Sequence, residues 1–164
     1  MNKMNINEMF NWMITIQPTY HNIFKKIPIN QLLKSYKYIT LDYYDRKYKR
    51  KAHLHKEEQY KQMICSHLYE TNSSDREYLI KNDLKDILQE LYHPHLHCLI
   101  SCPNEEIMDY FFFIKKKMRM KYPLSSCDLI KINQLEEDQI RAIQYGDKEQ
   151  SIFYTKTDLI NGVI

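Results

Sequence analysis

Two glycines in 164 residues, Gly146 and Gly162, set the strongest limit on what this chain can build. Ordinary domains use about 7% glycine. A Walker A loop and a dinucleotide-binding turn both need glycines where backbone closes on phosphate. Neither can be assembled here, so a nucleotide-driven motor is excluded. The length is that of one domain, which can bury about 70% of its unfolded surface without disulfides. Apolar residues make up 43% and charged residues 27%, a globular rather than a disordered balance.

The charge is mild. Twenty-four basic and 21 acidic side chains leave a net +3, too little to announce a nucleic-acid partner by average charge. The longest purely apolar run, Tyr110 to Ile114, is far short of the ~18 residues of a membrane span. No apolar stretch near the N-terminus suits secretion, so no membrane partner is expected and a cytoplasmic location is. Cys65, Cys98, Cys102 and Cys127 form no CxxC pair and read as free thiols of a reducing compartment.

No repeat, linker or low-complexity tract divides the sequence, so residues 1–164 are expected to form a single domain. Trp12 to Ile16 (WMITI) and Tyr36 to Tyr44 (YKYITLDYY) read as strands. The basic stretch Arg46 to Lys56 leads into a polar helix reaching about Tyr69. Asn72 to Asp75 signals a turn, and Glu77 to Leu91 suits either strand or helix. His95 to Cys102 (HLHCLISC) reads as a buried strand. Glu105 to Tyr122 is an amphipathic helix with Ile107, Tyr110, Phe111, Ile114 and Met118 at helical spacing. Asp128 to Asn133 reads as a strand, Glu136 to Gln150 as a helix and Ser151 to Thr155 as a last strand. This order predicts an α+β domain with a mainly antiparallel sheet and flanking helices.

Two His-Leu-His patterns occur. With seven histidines, one match is expected about 0.3 times by chance, so the bare pattern says little. His53-Leu54-His55 sits in a polar, helix-forming stretch, where i and i+2 point ~200° apart and cannot share an ion. His95-Leu96-His97 opens a strand, where i and i+2 project from one face. Two imidazoles there can ligate a divalent ion, while Leu96, Cys98 and Ile100 turn toward the core.

The residues around this second pair, His93-Pro94-His95-Leu96-His97-Cys98, followed downstream by Tyr145-Gly146-Asp147-Lys148, resemble the histidine and Tyr-x-x-Lys motifs of the HUH endonuclease superfamily, the rolling-circle replication initiators. The family's first motif is a less specific strand, matched by both Tyr38-Ile39-Thr40-Leu41 and Trp12-Met13-Ile14-Thr15. The resemblance covers most of the chain from about residue 36 and implies an RRM-like palm without a helicase domain. It implies nicking and joining of single-stranded or hairpin DNA at an origin of a plasmid, phage or virus, with a host helicase and polymerase as partners. The compartment is then a prokaryotic cytoplasm, or the nucleus for a eukaryotic virus. In such an enzyme His95 and His97 hold Mg²⁺ or Mn²⁺. The third ligand is an acid, with Glu90, just upstream, as first choice and Glu149 as second. Tyr145 is the nucleophile and Lys148 supports the developing charge. Arg141 stands where some members carry a second tyrosine or a glutamate, which favours a single catalytic tyrosine.

Helical spacing bears on Tyr145 independently of the family. At 100° per residue Ile140, Ile143 and Gln144 fall on one side of its helix, and Arg141, Tyr145, Lys148 and Glu149 on the other, polar side. Arg46, Lys47, Lys49, Arg50 and Lys51, interleaved with Tyr48, form a candidate DNA-backbone contact. Two alternatives stay open: a single-tyrosine transposase of the same superfamily, and a non-catalytic nucleic-acid-binding α+β module.

Overall fold

The computed structural model describes residues 10–18, 27–51, 59–69, 78–84, 87, 92–147 and 153–155. Five strands form one sheet: β1 (Trp12–Gln17), β2 (Lys61–Tyr69), β3 (Tyr92–Ser101), β4 (Ser126–Lys131) and β5 (Phe153–Thr155). Their spatial order is β4-β1-β3-β2-β5, and every neighbouring pair is antiparallel. Among the described residues, three longer helices accompany it: α1 (Ile29–Lys47), α2 (Ile107–Lys121) and α3 (Glu136–Asp147), and residues 78–81 are also helical. The chain is thus α+β with an antiparallel sheet flanked by helices, as the order of elements predicts.

Alternation along the strands divides the sheet into two faces. Ile14, Ile16, Ile64, Leu96, Cys98, Ile100 and Cys127 fill one face and pack into the main core with α1 and α2. Helix α2 buries Ile107, Tyr110, Phe111, Ile114 and Met118, the stripe its spacing predicts. Asp109 in its first turn and Arg119 and Lys121 in its last complement the helix dipole.

Two expectations are corrected. Tyr36 to Tyr44 is not a strand but the middle of α1. Its aromatic and β-branched residues favour strands locally, yet Leu32, Leu33, Tyr36, Ile39, Thr40 and Tyr44 are buried at three- and four-residue spacing, and burial along one helical stripe overrides propensity. Of the two stretches compared with the first motif, Trp12 to Thr15 is the one in a strand. Nor does a helix run to Tyr69: α1 ends at Lys47, and Lys61–Tyr69 is the strand β2. His53 and His55 lie outside the described residues.

Tyr36, Thr40, Gln62 and Tyr110 form a polar network inside the main core. The Tyr36 hydroxyl donates to Gln62 Oε1 at 2.6 Å and lies 2.8 Å from the Tyr110 hydroxyl, which also meets Thr40 Oγ1 at 3.3 Å. Burial holds both phenols above their ordinary range. All four cysteines are buried thiols. Scarce glycine leaves its mark in the turns, where Lys49, Arg50, Asp83 and Leu124 carry positive φ, a region that costs a Cβ-bearing residue energy.

Candidate metal centre

The opposite face of the sheet carries the histidines. His95, His97 and Leu99 alternate with the core residues of β3, and register sets His67 opposite His95, Cys65 and Thr15 opposite His97, and Met13 and Met63 opposite Leu99. His67, His95 and His97 come together as a buried cluster, their ligand atoms all within 4.8 Å of one another. Ring centroids stand 4.5 Å apart for His67–His97 and 5.1 Å for each of the other two pairs.

Three nitrogens this close can hold a metal ion. At about 2.0–2.1 Å per imidazole bond, two ligands on one ion are at most ~4.2 Å apart, so small side-chain rotations close the site. The ring orientations suit this role. His95 Nδ1 donates to the His93 carbonyl at 2.7 Å. A carbonyl only accepts, so the neutral His95 ring carries its proton on Nδ1 and leaves the Nε2 lone pair for a ligand bond. His97 Nδ1 lies 3.0 Å from Thr15 Oγ1. Both His97 and His67 have other partners, but His97 Nε2 and His67 Nδ1 are buried atoms outside any hydrogen bond. His67 is 0% exposed, His97 4% and His95 9%, so His95 is the most open of the three.

Helix α3 packs on this same face. Ala142 and Ile143 lie against a small second core of Phe10, Leu99 and Ile132, together with Met13 and Met63, and the helix borders β2 and β3. Gln139 anchors it. Its Oε1 accepts from the Phe10 N–H at 2.9 Å, and its Nε2 donates to the Phe10 and Asn133 carbonyls. The side turned to the sheet is therefore Gln139, Ala142 and Ile143, whereas Gln144, grouped with the isoleucines by spacing alone, is exposed. Tyr145 belongs to the last turn of α3, about 3 Å along the axis beyond Ile143.

Of the residues singled out in the sequence, His95 and His97 are together in the cluster, and Tyr145 is on the helix covering their face. Glu90, Lys148 and Glu149 lie outside the described residues. The third ligand brought to the pair is His67, which the sequence reading missed by taking its segment for helix. Met63-Ile64-Cys65, a short apolar run ahead of the turn signal in the sequence at Asn72 to Asp75, is the available signal. The basic stretch is elsewhere. It closes α1, on the other face of the sheet, beside Tyr60 and the Lys61–Ser101 pairing. That end of β3 is about 20 Å along the strand from His95. Arg46 pairs with Asp42 at 3.2 Å and lies over the Phe113 ring. Lys47 pairs with Glu106 and donates to the Tyr60 hydroxyl at 2.9 Å.

No protein-family model, curated protein or solved structure matches the chain. Among the described residues, no helix is long and apolar enough to cross a membrane.

Proposed function

We propose that this chain is a metal-dependent DNA-nicking and -joining enzyme of the HUH type, acting through Tyr145 to initiate rolling-circle replication. One observation carries the reading: His67, His95 and His97, from two strands far apart in sequence, converge on the sheet face against which the Tyr145 helix packs. A structural use of that face would call for apolar residues, as at Leu99, and not for three imidazoles in contact.

Three neutral nitrogens favour a borderline ion over a hard one. Of the two ions expected, Mn²⁺ fits this donor set better than Mg²⁺, which prefers oxygen and keeps its waters. A divalent ion held there would withdraw charge from a phosphodiester and lower its repulsion of a nucleophile. The chain's own contribution is the phenol. The Tyr145 oxygen gives up its proton and forms a bond to phosphorus, and the bond to the 3′ oxygen breaks. That oxygen takes a proton and leaves as a 3′-hydroxyl, with the 5′ phosphate on the tyrosine. Lys148, one turn on in sequence, stabilises the charge that builds on the phosphoryl oxygens. Reversal on a second 3′-hydroxyl joins strands and releases the enzyme.

The test is incubation with labelled hairpin and single-stranded oligonucleotides plus Mn²⁺, followed by denaturation and mapping of the modified peptide. The reading requires a denaturation-resistant adduct on Tyr145, absent in Tyr145→Phe and without metal. An adduct on any other tyrosine, or DNA binding with no adduct on any substrate, refutes it.

A further inference from the structure

The three histidines are not oriented by equivalent groups. His95 is fixed by a backbone carbonyl, which no substitution removes and which admits one tautomer only. His97 is held instead by a side-chain hydroxyl, Thr15 Oγ1, at 3.0 Å from Nδ1. A hydroxyl can donate or accept. If Thr15 donates, the neutral ring carries its proton on Nε2, and that nitrogen is blocked to a metal. If Thr15 accepts, the proton sits on Nδ1 and the Nε2 lone pair is available.

Register favours acceptance by supplying an outlet for the hydroxyl proton. Asp128 stands directly opposite Thr15 on the other neighbouring strand, so Asp128, Thr15 and His97 form one row across β4, β1 and β3 on the site face. The Asp128 carboxylate is exposed and accepts from Ser126 Oγ at 3.4 Å; as a pure acceptor on the same row it is a group toward which the Thr15 hydroxyl proton can turn, leaving an oxygen lone pair for Nδ1–H.

We infer that Thr15 is the positioning residue of the centre: by accepting from His97 Nδ1 it sets the tautomer that presents Nε2 as a ligand. The inference rests on the metal-centre reading and gives a role to a residue outside the histidine and Tyr-x-x-Lys motifs, Thr15 at the end of the less specific strand stretch. Loss of a group that orients a ligating histidine weakens metal affinity by about 10–100-fold.

Two measurements test it. In the metal-free protein, long-range ¹H–¹⁵N correlation of the imidazoles, with His97 assigned by His97→Gln, shows directly which ring nitrogen is protonated. The expected result is Nδ1–H in the native chain and in Thr15→Ser, and Nε2–H in Thr15→Val, which keeps the β-branched shape a strand prefers. Titration with Mn²⁺ or Co²⁺ should then give affinities near native for Thr15→Ser and about 10–100-fold weaker for Thr15→Val. Nε2–H on His97 in the native chain overturns the inference, and so does native affinity in Thr15→Val. The native spectrum decides even if Thr15→Val fails to fold. Nδ1–H on His97 in a native chain that binds neither ion overturns the metal centre itself, which separates the two failures.

Discussion

His67 has no counterpart in either sequence motif, so its replacement is the sharpest test of the centre. In His67→Ala the cluster keeps His95 and His97 but loses one of three nitrogens. Loss of an outer group alone weakens metal affinity 10–100-fold, so loss of a ligand should reach at least the upper end. Binding stabilises a fold by RT ln(1 + [L]/Kd), about 2.7 kcal/mol at a hundred times Kd. A hundredfold weaker variant at the same concentration retains about 0.4 kcal/mol. For a chain of this size 1 kcal/mol moves Tm by about 2–4 °C. Adding Mn²⁺ or Co²⁺ to chelator-treated native protein should therefore raise Tm by about 5–10 °C, and in His67→Ala by only ~1 °C. Thermal melts with and without metal give both numbers. The difference is taken within each variant, so the folding cost of truncating a fully buried ring cancels. A His67→Ala protein that keeps the full metal shift while His95→Ala loses it would refute the triad.

Other expectations are narrower. His95→Ala and His97→Ala should abolish metal-dependent DNA cleavage while His53→Ala and His55→Ala leave it nearly intact; equal loss from both pairs, in a gel-based nicking assay, would contradict the assignment. Gln139→Leu strands the Phe10 N–H and two carbonyls and should cost about 1–3 kcal/mol in urea unfolding. Leu124→Gly should raise stability by about 0.5–1 kcal/mol, because Leu124 is exposed and carries φ 66°, and relief of that conformation exceeds glycine's entropic cost. Alkaline pH should unfold the chain early. Burial pushes the Cys127 thiol up to about 11 and Cys102 to about 12 from an ordinary 9.0, and raises Tyr36, Tyr44 and Tyr110. The native state keeps protons that the unfolded chain releases, so stability is full below about pH 9 and falls as pH rises through the folded values; urea midpoints measured from neutral to strongly alkaline pH give the profile.

What could be read in advance follows the range of the forces involved. The stripe of α2 and the alternation of β3 are local periodicities, and both stand in the fold where the residues put them. Tyr36 to Tyr44 went the other way because local propensity and the burial stripe disagree there, and burial against α2 and the sheet decides. His95 and His97 are neighbours on one strand, so their shared face is visible in the sequence. His67 reaches them only through the β2–β3 register, a long-range pairing that no local pattern specifies. The Gln139 clamp, 129 residues from Phe10, is invisible for the same reason.

The two faces of the sheet are built to different standards. Among the described residues, twenty buried side chains make the core under α1 and α2, and only three make the core under α3. Among the described residues, helix α3 is therefore held by a few apolar contacts and one buried amide, an arrangement that favours low local stability. On the function proposed above, such a helix suits a nucleophile that would approach a phosphodiester and, after transfer, carry its end of the DNA to a second 3′-hydroxyl. The histidines belong to the central strands of the sheet, where the main core fixes the backbone beneath them. On this reasoning Ala142→Leu, which would add apolar area to the α3 contact, should raise the hydrogen-exchange protection of α3. It should slow strand joining more than the first cleavage; an unchanged ratio of the two rates would mean that α3 does not move between them.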